Sequence, residues 1–259
     1  ERRWYEASGQ PLERRGVAHG GVLTIRDITD RSLRQLQDQW LASASHELRS
    51  PLAALQALFQ LAERQEDPDK IKPALARARN QIRRLTNLVD DLVDSARLQG
   101  GRLPLERRDV DLGEVVAGAV ETSRLLTQGQ AIELEPAPEP LVIDADPSRL
   151  EQVVLNLLTN AISYAPGTER IDVRIRRDGD EAVLEVEDQG PGIAPGDLDR
   201  VFDRYYQAAP GQLPAHSGLG LGLFIAREIV AAHGGTITAA SSTGAGALFS
   251  IRLPLAQER

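Results

Sequence analysis

Apolar residues along this chain follow three successive patterns. Over residues 1–29, two short strand-like runs lie around glycine-rich turns, the better one being Val22-Leu23-Thr24-Ile25. From about 30 to 65, apolar positions recur at three and four residues. Leu33, Leu36, Trp40 and Ala44 open a coiled-coil-like seam, and Leu52, Leu55, Leu58, Phe59 and Ala62 continue it. Pro51 interrupts this stripe and predicts a bend or a local break. Glu66-Asp67-Pro68-Asp69 reads as a turn. A second helix follows from about 70 to 98 on Leu75, Ala78, Ile82, Leu85, Val89, Leu92 and Ala96. Two long helices and a short turn predict an antiparallel hairpin. Its apolar seam is too extensive for one pair of helices to cover, so a homodimer forming a four-helix bundle is expected.

Gly100-Gly101 and Pro104 mark a linker, beyond which the pattern is α/β. Ile132–Leu134 and Leu141–Ile143 are strand-like. Asp146 and Pro147 suit the cap and first position of a helix, whose apolar face runs through Leu150, Val153, Val154, Leu157, Leu158, Ala161 and Ile162. Ile171, Val173 and Ile175 alternate, Asp178-Gly179 turns, and Leu184 and Val186 alternate again, which is a hairpin. A helix over about 221–232 stops at Gly234, and Thr236–Ala240 and Ala247–Leu253 give two final strands. Residues 194–217 carry Pro195, Gly196, Pro210, Gly211 and Pro214 and are expected to form a long mobile loop.

Composition narrows the reading. The 259 residues are 41% hydrophobic but only 4% aromatic, so the cores must be built from Leu, Ile, Val and Ala. With no cysteine, disulfides and thiolate metal sites are excluded. A net charge of −8 speaks against a general nucleic-acid binder. No run approaches the roughly 20 apolar residues of a membrane span, and no signal peptide is visible. A soluble, cytoplasmic fragment with no membrane contact of its own is expected. The chain opens on Glu1 and has no methionine, so a piece of a longer protein is expected, whose remainder could carry membrane segments.

Three segments carry chemistry. In Ser45-His46-Glu47-Leu48-Arg49-Ser50-Pro51-Leu52, an imidazole stands beside a carboxylate on a helix. At neutral pH the ring keeps a free nitrogen lone pair, and Glu47 could bind or take the other proton. An exposed surface histidine is the plain alternative. In Asp188-Gln189-Gly190-Pro191-Gly192-Ile193, a carboxylate at a strand end could accept from an exocyclic amine, with glycines letting backbone approach a base. An ordinary strand-turn is the rival there. In Gly218-Leu219-Gly220-Leu221-Gly222-Leu223, glycines precede a helix whose amides suit an anion. No strand directly precedes them and no βαβ unit follows, which removes a Rossmann reading. Asn156 and Asn160 stand one helical turn apart, and an amide oxygen can share Mg²⁺ with phosphates.

In this order, the segments resemble the sensor histidine kinases of two-component systems. Ser45–Leu52 looks like the H box of the dimerisation and phosphoacceptor domain. Asn156–Ala161, Asp188–Gly192, Phe202-Asp203-Arg204-Tyr205-Tyr206 and Gly218–Leu223 look like the N, first glycine, F and second glycine boxes. Arg26–Arg31 resembles the exit of a PAS sensor domain. The resemblance implies a truncated PAS-like tail at 1–29, a phosphoacceptor hairpin at 30–100 and an α/β sandwich ATP-binding domain at 104–259, with a lid at about 194–217. It implies ATP and Mg²⁺ as cofactors and His46 and Glu47 as catalytic residues. Asn160 would hold Mg²⁺, Asn156 would support the phosphates, and Asp188 would receive the adenine amine. Tyr164, Gly190, Gly192, Ile193, Arg204, Gly218, Leu219, Gly220, Leu221 and Gly222 would complete the ATP site. The partners implied are a second copy and a response-regulator receiver domain, whose aspartate would take the phosphoryl group. Ser50 stands where many relatives carry the Thr or Asn of phosphatase action, and Ser163 stands where a basic residue is common. Two readings of other classes remain at this point: a nucleotide-gated scaffold without catalysis, and a conformational ATPase.

Overall fold

The computed structural model describes residues 5–14, 17–27, 45, 48–60, 68–99, 104–127, 129–165, 167–207, 219–241 and 244–256. Strand β1 (Tyr5–Arg14) pairs antiparallel with β2 (Val17–Asp27). These strands, of 10 and 11 residues, are longer than the short runs expected. Helix α1 covers 48–60 and includes Pro51. No break follows the proline, because it removes a single backbone donor and the succeeding turns close normally. The upstream seam of Leu33, Leu36, Trp40 and Ala44 lies outside the described residues.

Helix α2 (Pro68–Gln99) is one continuous element that also contains Pro73. Ala74, Ala78 and Leu88 are buried, whereas Leu75, Ile82, Val89 and Val93 are exposed. The exposed set recurs at seven and four residues, a second apolar stripe left open among the described residues.

The C-terminal module is built on a five-stranded sheet of order β4-β6-β7-β9-β8. Its strands are β4 (Ala131–Glu135), β6 (Arg170–Asp178), β7 (Glu181–Asp188), β8 (Thr236–Ser241) and β9 (Ala247–Pro254). β4 and β6 run parallel and the other neighbours antiparallel. Alternation decides which face is buried. Ile171, Val173, Ile175, Leu184, Val186, Phe249, Ile251 and Leu253 point into the core. Between them, diagonal cross-strand ion pairs such as Arg174–Glu187 (2.8 Å) and Arg176–Glu185 (3.0 Å) line the outer face. Helices α3 (Leu112–Arg124), α4 (Pro147–Tyr164) and α5 (Gly222–Ala232) cover the inner face. Short strands β3 (Arg108–Asp111) and β5 (Val142–Ala145) pair beside them. The motif pattern did not anticipate β3 or α3.

Residues 194–207 correct the expectation of a loose loop. A series of tight turns runs through them, with Val201 N–H bonded to the Asp197 carbonyl and Asp203 N–H to that of Arg200. Phe202 is buried edge-on against Phe249, their centroids 6.3 Å apart. One inward aromatic anchors a stretch whose prolines and glycines read as slack. Residues 208–217 of that expected lid lie outside the described residues.

Helix α4 is fixed at both ends. Asp146 Oδ1 accepts from the amides of Ser148 (3.0 Å) and Arg149 (3.2 Å), and Oδ2 accepts from Glu106 N–H at 3.0 Å. Burial works to raise the Asp146 pKa, but these bonds outweigh it and hold the carboxyl below its usual range. At the far end, the Gln130 amide donates to the carbonyls of Ile162 and Ala165. His233 closes the N-terminal junction, its Nε2 accepting from Asp146 N–H at 3.0 Å while Nδ1–H donates to the Ile229 carbonyl at 2.8 Å. That pair of bonds needs the neutral ring, and burial pushes the His233 pKa down.

The folded form therefore resists protonation of His233 while the unfolded chain accepts it near pH 6.5. Stability is full above that value and falls as pH drops toward the lower folded pKa. In urea unfolding, the native chain should lose more stability, or gain less, from about pH 7 to 5 than His233→Gln does. An equal change in the two would mean that His233 is not the titrating group.

Candidate functional site

The inward register of β7 continues past its apolar residues. Ala182, Leu184 and Val186 face the core, and the same alternation carries the Asp188 carboxylate inward at the strand end, only 6% exposed. Its Oδ1 accepts from Gly190 N–H at 2.8 Å and from Ala247 N–H at 3.3 Å. Burial raises its pKa, those amide bonds oppose the rise, and Glu187 adds to it. No contact engages Oδ2 among the described residues.

Gly190 is required by what surrounds it. A Cβ there would lie 2.9 Å from Asp188 Oδ1 and 3.1 Å from both Ala165 Cβ and the Tyr164 carbonyl. Tyr164 thus meets the first glycine turn through its backbone. Gly192 has φ +76°, and Ile193 packs on the core. A third glycine turn, absent from the motif reading, closes over the first. Gly246 N–H donates to the Gly190 carbonyl (3.0 Å) and Gly244 N–H to that of Pro191 (2.6 Å). Gly246 sits so close to the Asp188 carbonyl that any Cβ would overlap it. The G-x-G spacing at 244–246 was the available signal.

The second glycine segment lies against the middle of α4. Asn156 Nδ2 donates to the Gly222 carbonyl at 3.1 Å. Asn160, one turn on and half-buried, has a side-chain amide with no hydrogen-bond partner among the described residues. Gly220 has φ +67°, and a Cβ would stand 2.5 Å from the Tyr206 carbonyl. Leu219 and Leu221 anchor the segment in the core. Asp111 and Asp146 cap α3 and α4, but the cap position of α5 is Leu221, and among the described residues no side-chain cap bond closes that end. The first amides of α5 remain available to an anion.

Arg204 is turned toward α2. Its guanidinium donates to Ser95 of α2, Nε to Oγ at 3.0 Å and Nη2 to the carbonyl at 3.1 Å, and it stacks on Tyr205. Tyr205 has φ +65°, and its amide donates to the Gly220 carbonyl at 3.0 Å. Beside this contact, Arg149 and Gln152 of α4 both donate to Asp94 Oδ2, at 2.6 and 2.9 Å. Asp94 and Ser95 are 4% and 1% exposed. Burial, then Asp94 and Asp90 alongside, pushes the Asp91 carboxyl up to about 7. Leu88 joins the core cluster of the sheet, and Leu48, Leu92 and Leu98 pack on it. Sequence reasoning missed Asp94, Ser95 and Arg149, which carry no motif. Ser50 is exposed on α1, as is Ser163 at the end of α4. His46, Glu47, Gly218 and His216 lie outside the described residues.

The fold defines the class: an α/β sandwich with glycine turns gathered along one side of α4, joined to a helical stalk. Residues 36–101 match the His Kinase A (phospho-acceptor) domain, and 145–257 match the histidine kinase-, DNA gyrase B- and HSP90-like ATPase. Over 249 residues the chain is 38% identical to the probable sensor histidine kinase TcrY of Mycobacterium tuberculosis, covering 95% of this chain and 51% of TcrY. Sensor protein SrrB of Staphylococcus aureus is 32% identical, over 92% of this chain and 42% of SrrB. The chain thus spans about half the length of the curated relatives it matches. Among solved structures, the mycobacterial sensor histidine kinase MprB is 32% identical with a TM-score of 0.50, covering 59% of this chain and 99% of the solved MprB chain. The Acinetobacter baumannii histidine kinase AdeS is 28% identical with a TM-score of 0.59, over 82% of this chain and 98% of the solved AdeS chain. Full-length ShkA in complex with AMPPNP is 26% identical with a TM-score of 0.61, over 85% of this chain and 46% of ShkA. The chain belongs to the sensor histidine kinases.

Glycine at 246 should be irreplaceable. Gly246→Ala combines a left-handed backbone with overlap on Asp188, and is expected to lose at least about 2 kcal/mol in urea unfolding. Gly118→Ala, where α3 offers open space, should instead gain about 0.5–1 kcal/mol. Equal effects at the two positions would contradict the packing described.

Proposed function

We propose that this chain is an ATP-dependent protein-histidine kinase, acting as a homodimer, that phosphorylates His46 and passes the phosphoryl group to an aspartate of a response-regulator receiver domain. One observation carries the reading. Gly222 packs on Asn156 and Gly190 on Tyr164, eight residues further along α4. At 1.5 Å per residue the two glycine turns stand about 12 Å apart on one helix. That span suits a nucleoside triphosphate lying along α4, with its base at Asp188 and its phosphates at the uncapped start of α5.

In this arrangement Asp188 Oδ2 accepts the exocyclic amine of adenine, while Oδ1 is held by the Gly190 and Ala247 amides. Gly192 and Ile193 shape the base side, and Gly218–Gly222 with the first α5 amides bind phosphate oxygens. ShkA, solved in complex with AMPPNP, lends support from a relative. Among the described residues, no group of three or more His, Cys, Asp or Glu could hold a metal ion. The unengaged amide of Asn160 fits Mg²⁺ as one neutral oxygen donor, with phosphates and water as the remaining donors. When bound, the ion offsets charge on the phosphates. Glu47 takes or holds the imidazole proton as the other ring nitrogen attacks the γ-phosphorus, the bond from that phosphorus to the β–γ bridging oxygen breaks, and ADP leaves. Ser50, exposed on α1 just before Pro51, positions a water for hydrolysis of the receiver's aspartyl phosphate. Arg204 reaches phosphate only once it leaves Ser95.

The exposed stripe of Leu75, Ile82, Val89 and Val93 supports the homodimer. The β1–β2 hairpin, ending at Asp27, is the last part of a PAS-like sensor domain in this reading. Among the described residues no helix is long and apolar enough to cross a membrane. We place this portion on the cytoplasmic side, where ATP and the receiver domain are found.

Incubation with γ-labelled ATP and Mg²⁺ should give acid-labile, base-stable label on His46. His46→Gln should abolish it while nucleotide still binds, and label surviving in that variant would point to another acceptor. Asp188→Asn loses a hydrogen bond to a charged group, about 1.5–3 kcal/mol. That is a roughly 10- to 150-fold weaker ATP affinity by titration. Unchanged affinity would remove Asp188 from the site.

A further inference from the structure

The first glycine turn is tied to the β8–β9 turn by two backbone hydrogen bonds and by one side chain, Ser241. Its Oγ accepts from Ile193 N–H at 2.7 Å and donates to the Gly246 carbonyl at 2.5 Å. Ser241 is the last residue of β8, directly opposite Ala247 in β9. Ala247 N–H in turn reaches Asp188 Oδ1. The hydroxyl therefore joins the far end of the Gly190–Ile193 segment to the strand that holds the carboxylate. Gly192, at φ +76°, lies inside the segment so bracketed. A left-handed glycine resists bending of the backbone less than any other residue. The curvature of this turn is accordingly set by its anchors, and Ile193 N–H is the anchor beyond the glycine.

We propose that Ser241 is a positioning residue for nucleotide binding, its hydroxyl setting the height of the Gly190–Ile193 turn over the Asp188 carboxylate and so the fit of the purine base. This deepens the nucleotide reading above and rests on it. The relay needs a group that both accepts and donates. Losing it strands two backbone groups at once, which costs more than one lost bond. Among the described residues, the Ser241 hydroxyl bonds only Ile193 and Gly246 and not the Asn156, Gly220 and α5 side, so the effect should fall on base-dependent binding and spare the rate at saturation.

Ser241→Thr and Ser241→Val form the test, since the two are nearly isosteric, share β-branching and differ in the hydroxyl. Autophosphorylation at varied ATP should show KM raised roughly tenfold in Ser241→Val, kcat within about twofold of the native chain, and Ser241→Thr close to native in both. Hydrogen exchange by mass spectrometry should show faster exchange at the 190–193 amides in Ser241→Val without nucleotide, and native protection in Ser241→Thr. Equal KM and equal exchange in the two variants would overturn the proposal. So would a fall in kcat at unchanged KM, or a lower Tm with neither KM nor exchange altered, which is what a merely structural hydroxyl would give. Should Ser241→Val fail to fold, Ser241→Ala makes the same comparison with Ser241→Thr. If the native chain takes up no ATP, the nucleotide reading fails by itself, and the exchange difference still decides whether Ser241 sets the turn.

Discussion

A single carboxylate organises the catalytic module. Asp188 is turned inward at the end of β7 and draws the Gly190 and Ala247 amides to one oxygen. Burying a charge without partners would shift its ionisation or unfold its surroundings. The first and third glycine turns and the start of β9 therefore have to converge on it. That convergence leaves no room for Cβ atoms at Gly190 and Gly246. The polar demand of one group fixes the backbone of two segments far apart in sequence.

How much of this the sequence disclosed follows from which forces act locally. The strands β6, β7 and β9 alternate cleanly because one face is buried and the other carries ion pairs, so they were legible almost to the residue. Helix α4 was equally plain, with Asp146 and Pro147 at its start and an unbroken apolar face. Helix α3 was not. Gly113 and Gly118 and its several valines and threonine weaken its intrinsic preference, and it is held by the Asp111 cap and by burial of Val116, Ala119 and Val120. Phe202 was likewise illegible as an anchor, since one aromatic among prolines and glycines carries no period. In the candidate site, Asp188 and the glycines declared themselves by motif. Ser241, Asp94, Ser95 and Arg149 did not, because a hydroxyl or an ion pair that joins distant segments leaves no spacing signature.

The helical stalk and the sheet module are joined by chemistry of two kinds. Leu48, Leu88, Leu92 and Leu98 supply apolar area, while Asp94 and Ser95 offer polar groups that Arg149, Gln152 and Arg204 satisfy. The apolar part is indifferent to direction, and the polar part fixes the register of α2 against α4. Arg204 and Tyr205 belong to the same turn as the Gly220 contact. The stalk and the second glycine segment are thus neighbours through two residues.

The parallel pairing of β4 with β6 has a topological consequence. Antiparallel neighbours can be joined by a tight turn, but a parallel pair needs a crossover, and here that crossover contains α4. The helix bearing Asn156 and Asn160 is clamped by the sheet at both ends of its path. Its azimuth is consequently a matter of residue count: one residue added or removed inside it would swing the following side chain by about 100°. The eighteen-residue length of α4 is in this sense a phase setting, which aims Asn156 at the second glycine segment.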